Sequence, residues 1–452
     1  MPRILLIYLP LLLLLFSPFS VTGQTPSSGT SRMYSRNEMR TDLRFLRSKL
    51  EKIHPGLYRY TPKPAFAAFF DSLYHSIDKP MNGQGFFRLI TLLLPKIGDG
   101  HTMFLPDEAT TGYNNKKGKF LPFTLAYIDG KLYVVENCSA DDSIEKGTEI
   151  VRINGAAVDT IMAQLLMRQI RDGYNQTYPL WILNHYFSAY YSFVYGLPAR
   201  FSLQLRDGQA GLQQKQVRAL TKDSINFFRQ SRYPVVADRG IALEQAGDGT
   251  TALLTIKSFD PDLLESRYRQ SYRNVMDSVF AVLKHNRTAN LILDLRDNQG
   301  GEFEPGRYLL SYLLLSPTRY LLKGEESRLI RPQVNHFTGS LFVLVNGGSF
   351  SNTAIVSACL ERDKRAVFIG EETGGNKQVI SGDPTEILLP ETHIRCFIST
   401  ATFPVIDENG DGHGILPQYP VHPAIADVLT GKDKAMELAL QLIAEQDQAL
   451  HH

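Results

Sequence analysis

The chain has little cysteine, little tryptophan and almost no net charge. Its 452 residues include three cysteines and one tryptophan, and the formal net charge is +2. Three cysteines do not make a disulfide framework, and a charge so near zero argues against a dedicated nucleic-acid surface. The hydrophobic share of 43% and the charged share of 21% are ordinary for a soluble globular protein, and the length predicts two to four domains.

The most continuous apolar run lies at the N-terminus. Residues 1–23 have a basic start, a short apolar core interrupted by Pro10 and Pro18, and small residues at the end. They predict a secretory signal peptide, and the alternative is an uncleaved anchor, for which the run is barely long enough. Residues 24–33 predict a disordered linker. We therefore expect an exported protein, periplasmic or extracellular and more typical of bacteria, with no stable membrane span after cleavage.

Residues 341–362 predict a strand, a sharp turn and a helix. Leu341–Val345 are all apolar, as in a strand buried on both faces, and residues 346–348 read Asn-Gly-Gly. Ser349 and Ser351 then stand where the helix begins. Either serine could simply cap that helix. A serine on such a turn is also exposed beside backbone N–H groups that can hold an oxyanion.

A second apolar strand favours the catalytic interpretation. Residues 291–293 are Leu-Ile-Leu, and residues 294–301 continue DLRDNQGG. With Ser349-Phe350-Ser351 and the GEETG of residues 370–374, they resemble peptidase family S41. That family includes the C-terminal processing proteases, the tricorn core protease and the retinoid-binding repeats, and shares DLRxNxGG, (T/S)FSxx and GExTxG. The resemblance implies an α/β chain with a ClpP/crotonase-like core domain.

The same resemblance assigns the parts of the chain. It implies an N-terminal helical domain over residues 34–110, a PDZ-like domain over residues 118–220 and the S41 core domain over residues 221–447. Residues 143–158 read SIEKGTEIVRINGAAV, close to the PDZ text lkpGDeIlsINGxxv. This PDZ-like segment departs from the usual PDZ pattern, and an aromatic insertion follows it over residues 174–195. It is predicted either to bind peptide termini by strand addition or to serve as a structural wedge.

The resemblance also assigns the reacting groups. It implies Ser351 as the nucleophile, with the N–H groups of Asn352 and of Gly300 or Gly301 as oxyanion donors. In the processing proteases a lysine base lies 25 residues after the serine. In this chain that position, 376, is asparagine, and Lys377 comes one residue later. A Ser–Lys dyad with Lys377 remains an alternative.

A histidine N-terminal to the core serves as the base in the tricorn-like branch. Here Gly98-Asp-Gly-His-Thr102 places His101 in a tight glycine-bounded loop, which makes it the candidate base. His413, in a glycine-rich loop late in the core, is the rival. In the tricorn-like branch a serine and a glutamate orient the histidine, and Ser357 and Glu408 are the nearest by position.

The sequence thus predicts an exported serine endopeptidase or carboxy-terminal-type peptidase that acts on peptides or proteins. No cofactor and no metal are expected, since the calcium-loop-like start at residues 407–412 lacks the glutamate that closes such loops, Gln418 standing in its place. The alternative from another class is a non-catalytic ligand- or peptide-binding protein on the same fold. The oligomeric state and the substrate do not follow from the sequence.

Overall fold

The computed structural model describes residues 32–207, 211–233, 238–247, 249–407 and 410–450. The predicted signal peptide, residues 24–31 of the predicted linker and the candidate Glu408 lie outside these ranges. Met33, the last residue of the predicted linker, already belongs to a strand. Within the described ranges, no helix has both the length and the apolar character needed to cross a membrane.

Helices dominate the first part of the chain. Ser35 and Glu38 form a capping box at the start of the first long helix, which buries Met39, Leu43 and Leu50 on one face. The elements are β1 (Met33–Tyr34), α1 (Arg36–Ile53), α2 (Lys63–Ser76), β2 (Met81–Asn82), α3 (Gly83–Ile90), a 3₁₀ turn (Thr91–Leu93), α4 (Leu94–Ile97), β3 (Met103–Leu105) and α5 (Glu108–Lys116).

The middle of the chain forms an antiparallel sheet with strand order β10-β9-β7-β6-β5, and β8 pairs with β7. Its elements are β4 (Lys119–Phe120), β5 (Phe123–Ile128), β6 (Lys131–Asn137), β7 (Glu149–Ile153), β8 (Ala156–Ala157), α6 (Val158–Leu166), α7 (Thr177–Tyr195), β9 (Arg200–Asp207), β10 (Gly211–Arg218), β11 (Leu220–Thr221) and α8 (Lys222–Arg232).

Helix α7 is the aromatic insertion, and it covers the edge strand β5. Asn184 Oδ1 accepts the Tyr127 N–H at 2.7 Å, and Ser188 Oγ donates to the Leu121 carbonyl at 2.8 Å. Leu183 and Phe187 pack into the sheet's own core. Strand addition at β5 would therefore require α7 to move. Peptide binding by this sheet stays a prediction.

The core domain is a mostly parallel sheet of order β12-β13-β14-β17-β18-β21. Only the β12–β13 pair is antiparallel. The elements are β12 (Ile241–Ala246), β13 (Thr251–Ile256), α9 (Pro261–Tyr268), α10 (Tyr272–His285), β14 (Asn290–Asp294), α11 (Phe303–Leu313), β15 (Thr318–Arg319), a 3₁₀ turn (Glu325–Ser327), β16 (Leu329–Ile330), β17 (Ser340–Val345), α12 (Asn352–Arg362), β18 (Val367–Gly370), β19 (Val379–Leu388), β20 (Arg395–Pro404), β21 (Tyr419–Pro420), α13 (Ile425–Thr430) and α14 (Lys434–Leu450).

Both faces of this sheet are covered at its centre, which is why the central strands β14 and β17 are mostly apolar. Val343 and Val345 face the main core with α10, α11 and α12, whereas Phe342 and Leu344 face a second cluster with α14. The described cysteines are buried free thiols, and Cys359 lies in the main core. The mixed α/β fold predicted from the sequence is confirmed.

A third sheet joins the N-terminal helices to the core. β20 pairs with β19 on one side and with β3 on the other, with Cys396 opposite Phe104. β3 begins two residues after His101. This pairing therefore fixes the loop that carries His101 against the core domain.

Candidate active site

Ser351 stands at the turn between β17 and α12, six residues beyond the end of the strand. Its backbone has φ 53° and ψ −124°, a conformation that residues other than glycine rarely adopt. Its side chain makes no capping hydrogen bond to α12. The helix-cap interpretation of Ser351 is therefore wrong, because the strained turn directs Oγ elsewhere. This geometry is that of a nucleophile on a sharp strand-to-helix turn.

The loop of residues 298–301 packs directly against this turn. A Cβ on Gly300 would lie 2.7 Å from Asn352 N and 2.8 Å from Ser351 Cβ, so only glycine fits there. The Gly300 N–H donates to Asn298 Oδ1 at 2.9 Å. Within the described ranges, the N–H groups of Gly301 and Asn352 donate to no protein acceptor. Of the two glycines, Gly301 is thus the one with a main-chain donor left over.

His101 lies against Ser351 although the two are 250 residues apart in the chain. Its Nε2 is 3.0 Å from Ser351 Oγ. The ring stacks on Phe350 with centroids 4.7 Å apart, and a Cβ on Gly100 would lie 2.6 Å from Phe350 Cζ. Burial lowers the pKa of His101, and the charges of Asp99 and Asp383 partly oppose this. Neutral imidazole is therefore favoured, as a base requires.

Asp99 is the carboxylate beside His101. Its Oδ1 accepts a hydrogen bond from the backbone N–H of His101 at 2.8 Å and lies 4.0 Å from the ring nitrogen Nδ1 of His101. Its Oδ2 is 2.7 Å from His54 Nε2 and accepts from Thr102 Oγ1 at 2.7 Å. Burial is the largest single effect and opposes its ionisation, but the hydrogen bond with His54 and the charges of His54 and His101 together outweigh it and hold the pKa of Asp99 well below its usual range. Asp99 is a fixed anion next to the imidazole.

Asp172 is a second buried carboxylate in the site, and it comes from the segment between α6 and α7. It accepts the Gly100 N–H at 2.7 Å and the Asn376 N–H at 3.1 Å. It therefore connects the His101 loop with the loop that follows β18. Burial, and then the charge of Asp99, raise the pKa of Asp172 to about 7.

Four other candidates from the sequence lie elsewhere or cannot be placed. Ser357 Oγ donates to the Thr353 carbonyl inside α12 at 2.8 Å and does not orient His101. Lys377 Nζ pairs with Glu361 at 3.2 Å, and His413 Nδ1 lies 3.1 Å from Glu372 Oε1. Glu408 lies outside the described residues. Ser351 and His101 are thus brought together, and the carboxylate found beside His101 in the described residues is Asp99.

Sequence reasoning missed Asp99, His54 and Asp172. Asp99 was visible only as the residue flanking His101 in its loop, and His54 only as part of a helix-terminal IHPG run. Asp172 had no local signal. Asp99, His101 and Asp172 each offer a ligand atom, all within 4.8 Å of one another, so this group is also the one that could hold a metal ion.

Three comparisons relate the chain to known proteins. Residues 250–421 match the family model Peptidase family S41. The carboxyl-terminal-processing peptidase 2 of Arabidopsis thaliana chloroplasts is 30% identical over 127 residues, which is 25% of this chain and 23% of that protein. The match thus spans less than a quarter of the relative's length.

Solved structures show the same fold over nearly the whole chain. Mature CPAF has a TM-score of 0.65 at 16% identity, covering 91% of this chain and 97% of that one. The structure of mature CPAF complexed with lactacystin has a TM-score of 0.65 at 17% identity, and the match covers 91% of this chain and 98% of that one. The mixed α/β fold and the Ser–His pair together have the geometry that a serine hydrolase would use. Residues 250–421 thus resemble peptidase family S41, as the motifs predicted.

Proposed function

We propose that this chain is an exported endopeptidase or carboxy-terminal-type peptidase of the tricorn-like branch, with Ser351 as nucleophile and His101 as general base. The observation that carries the proposal is the 3.0 Å contact between Ser351 Oγ and His101 Nε2. A nucleophile within hydrogen-bond reach of a base is the arrangement that acyl transfer needs.

In the proposed reaction, Ser351 Oγ attacks the scissile carbonyl carbon and its proton passes to His101 Nε2. The imidazolium then protonates the leaving amine, and a water attacks the acyl-enzyme with His101 again as base. Since Nε2 must accept, the neutral ring carries its proton on Nδ1. Asp99 Oδ1, 4.0 Å from Nδ1, stabilises the imidazolium by its charge, and a small closure on substrate binding would make this a hydrogen bond.

The tetrahedral oxyanion is proposed to lie between the N–H groups of Asn352 and Gly301. Both are free of protein acceptors within the described part of the chain, whereas the Gly300 N–H is held by Asn298. Each such donor contributes about 3 kcal/mol to the stability of the transition state. The donors are main-chain groups, so side-chain substitution at residue 352 tests them less well than added bulk at residue 300.

The lysine alternative has less support. Lys377 forms an ion pair with Glu361, and Asn376 occupies the position that the dyad pattern assigns to lysine. Export rests on residues 1–23 alone, and N-terminal sequencing of the secreted protein would test it.

The test of the mechanism is covalent labelling of the protein with a fluorophosphonate probe. We expect labelling of wild type and of Lys377→Met, and none of Ser351→Ala or His101→Ala. Ser357→Ala is the matched control, since this buried serine lies in α12, the helix that follows Ser351. Lactacystin, which was solved in complex with mature CPAF, serves as a second probe.

The outcomes separate the alternatives. Labelling that survives in His101→Ala but is lost in Lys377→Met would replace the proposed base with Lys377. A wild-type protein that is folded by circular dichroism but reacts with neither probe, and hydrolyses no peptide in a library, would favour a non-catalytic binding protein.

A further inference from the structure

The side of His101 that faces away from Ser351 borders a buried group of polar atoms. His101 is 8% exposed and its Nδ1 has no hydrogen-bond partner within the described residues. Asp99 and Asp172 are 2% and 3% exposed, and ligand atoms of the three side chains lie within 4.8 Å of one another. A buried nitrogen without a partner beside two carboxylates is a costly arrangement unless something lies between them.

The cluster has more negative than positive charge. Asp172 forms no ion pair with lysine or arginine in the described part of the chain, and its hydrogen bonds come from the neutral N–H groups of Gly100 and Asn376. Asp99 acts on it as a like charge, and the charge of Arg59 is only the smallest of the effects on it. His54 contacts the far oxygen of Asp99.

We propose that Asp99, Asp172 and His101 Nδ1 bind one divalent transition-metal ion of the Zn²⁺ type, and that this ion reversibly inhibits the enzyme. One imidazole nitrogen with two carboxylates is a ligand set that zinc accepts. In the tetrahedral geometry of zinc, ligand distances of about 2.0–2.2 Å place two ligand atoms roughly 3.4 Å apart. Atoms that lie as far as 4.8 Å apart must therefore each move by about 0.7 Å to close the site.

The present hydrogen bonds are compatible with this ion. A carboxylate oxygen has more than one acceptor site, so Asp172 can keep the Gly100 and Asn376 N–H groups while it binds metal. These N–H groups, with Thr102 on Asp99, then hold the ligands in place from outside the ligand shell.

Inhibition follows from the tautomer of His101. A metal on Nδ1 occupies the lone pair there, and the neutral ring must carry its proton on Nε2. Nε2 then donates to Ser351 Oγ and cannot accept its proton. The ion is thus an inhibitor and not a cofactor; this inhibitory part rests on the proposed function, whereas binding does not.

Binding is tested in the Ser351→Ala protein, so that no turnover is needed. Co²⁺, as a coloured stand-in for Zn²⁺, is titrated and its visible absorption bands are followed. We expect bands whose midpoint moves to at least about tenfold higher Co²⁺ when Asp172→Asn or His101→Gln is added. His413→Gln is the matched control, because His413 with Glu372 is a part-buried histidine–carboxylate pair outside the proposed metal site. Circular dichroism checks that each variant is folded.

Three outcomes would overturn the site. The Co²⁺ midpoint does not move with Asp172→Asn or His101→Gln, it moves with His413→Gln, or no absorption bands are seen. Inhibition is tested in wild type, where Zn²⁺ should suppress fluorophosphonate labelling, EDTA should restore it, and Asp172→Asn should need at least about tenfold more Zn²⁺. A protein that binds Co²⁺ as expected but never labels with the probe contradicts the proposed peptidase and leaves the metal site intact. Equal Zn²⁺ sensitivity in wild type and Asp172→Asn contradicts the inhibitory role.

Discussion

Replacing Asp172 by asparagine should lower activity while making the protein less sensitive to alkaline pH. The carboxylate holds the Gly100 and Asn376 N–H groups, one on each oxygen. Asparagine keeps one acceptor oxygen and turns an NH₂ group toward the other N–H. One of the two loops is then released, and His101 shifts relative to Ser351. We expect a fall in kcat of about tenfold or more with KM little changed, because positioning is what is lost.

The substitution Asp172→Asn also changes how the free energy of unfolding depends on pH, and it favours the variant as pH rises. The pKa of Asp172 is about 7 in the folded protein, against an ordinary value of 3.8. A raised folded pKa gives a stabilisation that is complete below the unfolded pKa and is lost as pH rises through the folded pKa. The gap corresponds to about 4 kcal/mol. Asparagine does not titrate, so the unfolding free energy of wild type relative to the variant should fall by up to about 4 kcal/mol between pH 4 and pH 8.

Urea unfolding of both proteins at several pH values measures this difference, and peptide hydrolysis or labelling rate measures activity. Asp99→Asn is the control with the reverse sign: the pKa of Asp99 is lowered, so its stabilisation is present at neutral pH and lost on acidification. The reasoning is refuted if Asp172→Asn is more destabilising at pH 8 than at pH 5. Such a result would mean that the ionised carboxylate stabilises the fold.

Three further substitutions probe the site. Ser351→Gly should be about 1–2 kcal/mol more stable than Ser351→Ala in urea unfolding, because φ 53° strains any residue with a Cβ; equal stabilities would contradict that strain. Gly300→Ala should cost about 100-fold in kcat, since its Cβ would lie 2.7 Å from Asn352 N; full activity would place the oxyanion elsewhere. Asp383→Asn should move the acidic limb of the pH–rate profile to lower pH, because the charge of Asp383 raises the pKa of His101. A limb that moves to higher pH would contradict this effect of Asp383 on His101.

The sheet and the serine could be predicted from local sequence, because both are local. Leu341–Val345 and residues 291–293 are apolar without interruption, and such runs suit strands covered on both faces. The contact of His101 with Ser351 had no such local signal. Only a resemblance to relatives suggested it, since nothing in the periodicity of either segment tells which distant loops meet.

The residues that support His101 were out of reach for a physical reason. Asp99 and His54 meet across 45 positions, and Asp172 touches a loop 204 positions away. A carboxylate reads as an exposed residue in a sequence unless its partners are known. Ser357 and Glu408 were chosen by position, and position along the chain gives no information about which oxygen lies beside Nδ1.

The pairing of β3 with β20 affects when the protein can first become active. The proposed nucleophile and its base belong to segments made at different times in synthesis, and β3 finds its partner only when residues 395–397 exist. Contacts between such distant segments form late in folding. A nascent or truncated chain that contains the strained serine would still have no base beside it. The family S41 region of residues 250–421, expressed by itself, should likewise be inert. Under the proposed mechanism, the strand that completes the fold thus also prevents incomplete chains from cutting peptides.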